Sequence, residues 1–396
     1  MLDRENFISI PVTRGTVQKT PASPYNGTIS VFLTFSFSNQ SRLNSMLSNL
    51  SNPNSAEYHK FMTRSQFAEN FSVSSQIYSQ AVSYLSQYPG IRVKTYADRI
   101  SIQVTGSATN IGKLFNTTIE SNGTSKYFAG FTPQLPDSLA PYVSDVTGLS
   151  NAPSHVTYNI VGKEVVTPKV SNESLYDGYP TPVSSGGIQD IYGSDLQVAY
   201  DEQTLLNITY PTNEVIATIL WAGTNSSGNP VGPFDPSDIY AYYNSTIPSY
   251  EPHAKVFGVP LNGAAKPGVS ASYDTTGANQ ENTLDLEMAG STAPGASIYN
   301  VYGPNSTYES LDAAFAFILN PNSSYPALNN VSVITNSWGG PESNNTVWYQ
   351  YLQEAQVRGI TVLASSGDSG DNNRSSKYMP NPNYPGDYVQ FPAAMA

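Results

Sequence analysis

Val215–Leu220 reads VIATIL, a short unbroken run of apolar and β-branched residues that leads into Trp221, Ala222 and Gly223. A run of that length without polar alternation suits a strand buried on both faces, as in a parallel sheet. Three later runs have the same character: SIYNVY from Ser297, VSVIT from Val331 and ITVLAS from Ile360. Between them lie helical segments such as YESLDAAFAFILN from Tyr308, and NNTVWYQYLQEAQVRG, which ends on Gly359 as a C-terminal cap. Strands that alternate with helices indicate βαβ units, so residues 188–396 are expected to form an α/β unit around a parallel sheet.

The pattern upstream is different. Val31, Leu33, Phe35 and Phe37 alternate as in a half-buried strand, and Leu43, Met46, Leu47 and Leu50 follow helical spacing. A second helix carries Ile77, Ala81 and Leu85 and stops at Pro89-Gly90. The runs IRVKTY and RISIQV, a short helix with Ile111, Leu114 and Phe115, and a strand near TSKYFAGF complete the order. This β-α-α-β-β-α-β succession predicts a small α+β unit over residues 28–164, an antiparallel sheet with helices on one face. Residues 1–27 read as a lead-in arm. Residues 165–187, rich in Pro, Gly and Ser, read as an exposed linker open to proteolytic processing.

Composition narrows the chemistry. The 396 residues carry a net charge of −12 with only 12% charged side chains, which argues against a nucleic-acid binder. No apolar window is long enough for a membrane span. Absence of cysteine excludes disulfides, thiolate metal sites and a cysteine nucleophile, and the three histidines, His59, His155 and His253, are too few for a histidine cluster. The surface is built from Tyr, Ser, Thr and Asn, and a fold that relies little on ionised carboxylates loses little in acid. Fifteen N-x-[ST] sequons, about twice the chance expectation, point to an extracellular protein. The first thirty residues nevertheless show no charged segment followed by an apolar one, as an export signal would.

Two acidic motifs can carry chemistry. Glu281 and Asp285, in QENTLDLEMAG, lie one helical turn apart on one face, where two carboxyls cannot both ionise easily. Such a pair suits general acid–base work at low pH, although the spacing alone also fits a solvated face. Glu287 falls on another face and is expected to be exposed. Asp368, in LASSGDSGDN, follows the strand from Ile360, and ligands bind beyond the carboxyl ends of such strands; a plain Gly/Ser/Asp turn would read the same. Gly367–Gly370 also matches the nucleophile turn of chymotrypsin-like enzymes, but those are all-β, disulfide-linked and need a histidine base, so that match is rejected. Ser337, Trp338 and Gly339, after VSVIT, could pair with an extended peptide by strand addition, with a core anchor as the other reading of Trp338.

Taken in order, the segment from Phe32 to Ser74 with its SAEYHKFMT turn, then GSDLQVAYD, VIATILWAG, ENTLDLEMAGSTAPGA, SWGG, SSGDSG and FPA, resembles the sedolisin/kumamolisin family of serine-carboxyl peptidases. The resemblance implies a subtilisin-like parallel sheet with helices on both faces, preceded by a ferredoxin-like activation prodomain that acts as intramolecular inhibitor. It implies protein or peptide substrates and a secreted, acid-active precursor. Glu281 would be the general base, Asp285 its hydrogen-bonded orienting partner, and Asp368 the protonated oxyanion-hole acid; Ser337, Trp338 and Gly339 would line the substrate groove. The family's nucleophile, in a Gly-Thr-Ser motif, and its calcium site are both expected beyond Ala396, so no cofactor is expected in this chain. Gly123-Thr124-Ser125 lies ahead of both acids and reads as a turn. Two other classes stay open: an inactive relative that binds peptides, and a surface-layer protein, for which the chain shows no internal repeat.

Overall fold

The computed structural model describes residues 6–12, 22–121, 123, 126–151, 156–157, 184–185, 188–189, 192–340, 345–367 and 391–395. Most of the 165–187 linker, part of the lead-in arm and Asp368 lie outside the described residues.

The N-terminal part is built on β1 (Thr28–Phe35), α1 (Gln40–Ser51), α2 (Arg64–Phe71), α3 (Ser75–Leu85), β2 (Arg92–Thr95), β3 (Ser101–Ser107), α4 (Ala108–Leu114) and β4 (Val143–Thr147). The four strands form an antiparallel sheet in the order β2-β3-β1-β4. Each helix starts on a polar cap. Thr63 and Gln66 close a full capping box at α2, and Ser74 and Ser107 accept the first free N–H groups of α3 and α4. The strand expected near TSKYFAGF is Tyr127–Ala129, but it pairs in a separate three-stranded sheet; the fourth strand of the main sheet is β4.

Odd-numbered residues of β1 (Val31, Leu33, Phe35) pack with α3 and α4. The expected alternation ends there, because Phe32 and Thr34 on the opposite face are also fully buried. That second face is covered by helices from the other half of the chain.

The C-terminal part adds β5 (Val156–Thr157), α5 (Gly193–Ala199), α6 (Glu202–Leu206), β6 (Val215–Trp221), α7 (Pro236–Thr246), β7 (Lys255–Pro260), α8 (Ala278–Thr292), β8 (Ser297–Gly303), α9 (Tyr308–Leu319), β9 (Val331–Asn336), β10 (Trp338–Gly339), α10 (Thr346–Val357) and β11 (Thr361–Ala364). Five strands form one parallel sheet in the order β7-β8-β6-β9-β11. Side chains alternate across it. Ile216 and Ile298 pack with Leu286 of α8 and with Ile239 and Tyr243 of α7, whereas Ala217, Ile219, Tyr299 and Val301 join the cluster containing α9. Helices therefore cover both faces. Gly290 lets α8 approach α7, since a Cβ there would meet the Tyr243 hydroxyl at 1.7 Å.

The two parts meet where β1, β3 and β4 face α9 and α10. Phe32, Phe67, Phe71 and Tyr96 join Phe315, Trp348 and Tyr351 in one apolar cluster. Trp348, fully buried, stacks edge-on against Phe315 at 4.7 Å and Trp338 at 5.0 Å. Truncating it to Ala is expected to destabilise the fold by ~3–5 kcal/mol, measurable by urea unfolding.

The polar part of this interface is unusual in its protonation. Asp312, on α9 and 0% exposed, accepts from Thr147 Oγ1 at 2.6 Å and from Trp348 Nε1 at 2.9 Å. Burial pushes its carboxyl up to about 8, and Asp145 and Glu309 add repulsion. Glu309 accepts from Gln103 at 3.1 Å and from Asn262 at 2.8 Å, and burial raises it to about 7. Asp98, hydrogen-bonded to Asn320, and Glu354 are raised by burial too, in spite of Arg358. Arg358 donates to Glu354 Oε1 at 2.7 Å.

Candidate active site

Helix α8 carries both acids of the expected pair. Its first turn is held from outside: Gly277 adopts φ +86° at the N-cap and offers no side chain, so the Asp274 carboxylate takes over the capping. Asp274 accepts from the backbone N–H groups of Asn279, Thr276 and Thr224 and from the Thr276 hydroxyl. Burial alone would raise this carboxyl, but those four donors outweigh it and hold it below the ordinary range. Asp274 thereby ties the loop after β6 to the start of α8. The next residue along, Asn282, is fully buried and donates to the Trp221 carbonyl at 3.1 Å, while Asn300 donates to Asn282 and to Thr218, both at 2.8 Å. These amides lock α8 onto β6 and β8, and so fix Glu281 between Asp274 and Asn282. Neither Asp274 nor the Asn282–Asn300 pair was singled out from the sequence; the Asp-Thr-Thr-Gly run ahead of the helix was the available signal.

Glu281 is 2% exposed, and Asp285 follows one turn later with its Oδ2 shielded from water. Burial, reinforced by the Glu281 charge, pushes the Asp285 carboxyl up to about 8, against a hydrogen bond from Ser337. The pair is therefore not a solvated face. Ser337, between β9 and β10, reaches the pair from the end of β9: its hydroxyl donates to Glu281 Oε1 at 2.5 Å. Glu287 is half-buried, contrary to the exposed position expected for it. It lies by Tyr242 and Asp238 of α7, and burial raises it to about 7.

The Trp338 indole is 0% exposed and packs against Trp348 and Phe391. The backbone of Trp338–Gly339 is engaged differently. It pairs antiparallel with β5, Val156 opposite Gly339 and Thr157 opposite Trp338. A segment of the chain itself thus runs along the strand edge next to Ser337, in the manner of an added peptide strand. Asp368, outside the described residues, follows Gly367 beyond the end of β11. Among the described residues no group of three or more His, Asp or Glu side chains is placed to hold a metal ion.

The family described as "Pro-kumamolisin, activation domain" matches residues 14–152. Kumamolisin from Bacillus sp. (strain MN-32) is 30% identical over 170 residues, 41% of this chain and 27% of that protein. Xanthomonalisin from Xanthomonas sp. (strain T-22) is 27% identical over 220 residues, 53% of this chain and 24% of the relative. Sedolisin from Pseudomonas sp. (strain 101) is 24% identical over 148 residues, 35% of this chain and 25% of the relative. The matched part of the chain spans about a quarter of the length of these relatives. An activation-domain match ahead of a parallel α/β sheet, together with three relatives of one kind, makes the chain similar to the sedolisin family of peptidases with a pro-domain.

Proposed function

We propose that the chain belongs to the precursor of an acid-active serine-carboxyl peptidase that hydrolyses peptide bonds in proteins. One observation carries the reading. The buried Glu281–Asp285 pair and the Ser337 hydroxyl converge beside a strand edge that already holds a peptide segment. In this reading Glu281 is the general base and Asp285 the carboxyl that orients it and holds the shared proton. The nucleophile is a serine outside the described residues. A carboxylate base still titrates in acid, where a histidine would be permanently charged. Asp368, protonated, would donate to the developing oxyanion. Substrate would lie along Ser337–Gly339 by main-chain pairing, in the place that β5 takes here.

The architecture agrees with this reading: a parallel sheet with helices on both faces supports a subtilisin-like catalytic part from residue 188, and the antiparallel sheet supports a ferredoxin-like activation domain over 28–164. Docked against α9 and α10, with β5 on the groove edge, that domain would serve as intramolecular inhibitor until the 165–187 linker is cut. Among the described residues no cluster of carboxyl groups is placed to hold calcium. Secretion and glycosylation belong to the same proposal. No helix among the described residues is long and apolar enough to cross a membrane, and sequon residues such as Asn26, Asn116, Asn207, Asn244 and Asn322 are exposed.

The test is hydrolysis of an unfolded protein substrate at about pH 4 by the full-length protein. Peptide binding without hydrolysis would favour the inactive, peptide-binding relative instead.

A further inference from the structure

On the reading of this protein as secreted and glycosylated, we propose that the folded chain accepts N-linked sugars at Asn225, Asn305 and Asn322, and at these ahead of Asn49, Asn70 and Asn116. All six stand in N-x-[ST] sequons.

Attachment makes two demands on a folded sequon. The transfer forms a bond from Asn Nδ2 to the first carbon of the sugar and breaks the bond from that carbon to a phosphate oxygen of the activated donor. The phosphate keeps the electron pair, and the amide gives up one proton. The nitrogen must therefore be free of other partners. The Ser or Thr two positions on must also stand beside the Asn, so that one transferase site can read both.

Three loops meet both demands. Asn225 Oδ1 accepts from the Ser227 N–H at 3.0 Å and from the Asn229 N–H at 2.9 Å. Asn305 Oδ1 accepts from the Thr307 N–H at 3.2 Å, from the Thr307 hydroxyl at 2.7 Å and from the Ser310 hydroxyl at 2.9 Å. Asn322 Oδ1 accepts from the Ser324 N–H at 3.0 Å. Each is an Asx turn, in which the side-chain oxygen folds back onto the Ser or Thr of its own sequon. The oxygen is thereby taken up, and none of the three Nδ2 atoms donates to a described residue.

The other three sequons fail on both counts. Asn49, within α1, donates from Nδ2 to Glu57 Oε2 at 2.8 Å, while its partner Ser51 turns back to the Leu47 carbonyl. Asn70, in α2, donates to the Gln66 carbonyl at 2.7 Å, and Ser72 is buried. Asn116 donates to Gln134 Oε1 at 2.6 Å, and the Thr118 hydroxyl is directed to Glu120. Exposure does not draw this line, since Asn116 is exposed and Asn225 is half-buried. The favoured sites are also distributed unevenly. Asn225 follows β6 and Asn305 follows β8, so both stand past the carboxyl ends of the parallel strands, the end at which Ser337 follows β9. Asn322 follows α9 and precedes β9, at the other end of the sheet.

The test uses full-length protein made without glycans and shown folded by a cooperative melt. It is incubated with a soluble N-glycosyltransferase and a nucleoside-diphosphate hexose, and peptide mass mapping follows the modified fraction of each sequon with time. Each rate is divided by that of a synthetic peptide of the same sequence, which removes the intrinsic preference of the transferase. The ratios at Asn49, Asn70 and Asn116 are expected to lie about tenfold or more below those at Asn225, Asn305 and Asn322, because the engaged sites react only after local opening. Equal ratios at all six sites, or the reverse order, overturn the proposal. Protein recovered glycan-free from the medium of its own cells would remove the glycosylation reading while leaving the measured ratios standing.

Discussion

Raising the pH from about 5 to about 8 is expected to lower the melting temperature of this protein by roughly 10 °C or more. The sign follows from the carboxyls buried between the two halves of the chain. Burial raises Asp312 to about 8 and Glu309 to about 7, and raises Asp98 and Glu354 as well. A carboxyl whose pKa is raised by folding favours the fold in its protonated form. Its contribution is complete below the ordinary carboxyl value near 4 and is withdrawn as the pH climbs through 7 to 8. For Asp312, 0% exposed, the rise from 3.8 to about 8 corresponds to roughly 6 kcal/mol withdrawn on ionisation. Asp274 works in the other direction, since its carboxyl is held low, but it is one group against four. Calorimetric scans at constant ionic strength check the sign. A melting temperature that is flat or rises between those pH values would show that the interface acids are ionised in the folded protein.

The second large effect concerns chemistry. Replacing Glu281 by Gln in the full-length protein is expected to reduce peptide hydrolysis in acid at least a hundredfold. The Gln carbonyl can still accept from Ser337, so the local geometry is preserved, but the side chain can no longer take a proton from a nucleophile. Stability is expected to be unchanged or slightly higher, because the substitution removes the buried charge that acts on Asp285. Replacing Asp368 by Ala should give a loss of similar size, as for removal of one oxyanion donor. Initial rates with a quenched-fluorescent peptide, paired with melting curves, separate lost chemistry from lost fold. Near-normal rates in both variants would remove the assignment of the site.

Much of the parallel sheet was legible because its strands are short and buried on both faces. VIATIL, SIYNVY, VSVIT and ITVLAS coincide with β6, β8, β9 and β11, and Gly359, at φ +77°, stands just past the end of α10. Local spacing also sufficed to put Glu281 and Asp285 on one face. Helix α2 was missed although Thr63 and Gln66 form its capping box; its eight residues are too few for a clear period.

Other features depend on contacts that no local pattern encodes. Phe32 and Thr34 are buried because α9 and α10 cover the second face of their sheet. The Ser337–Glu281 bond joins residues 56 positions apart, through the order of the sheet strands. Asp312 lies in the middle of a helix whose residues are nearly all buried, and its acid is explained only by Thr147 and Trp348. The run YESLDAAFAFILN holds two carboxyls, Glu309 and Asp312, and nothing local to it tells which partners they meet.

The most direct measurement is the rate of hydrolysis of an unfolded protein substrate by the full-length protein across about pH 2 to 8. The account predicts activity confined to the acid side and declining as the pH approaches neutrality, where the protonated carboxyls of the site are lost. Full activity at neutral pH, or no hydrolysis at any pH by protein shown to be folded, would contradict it.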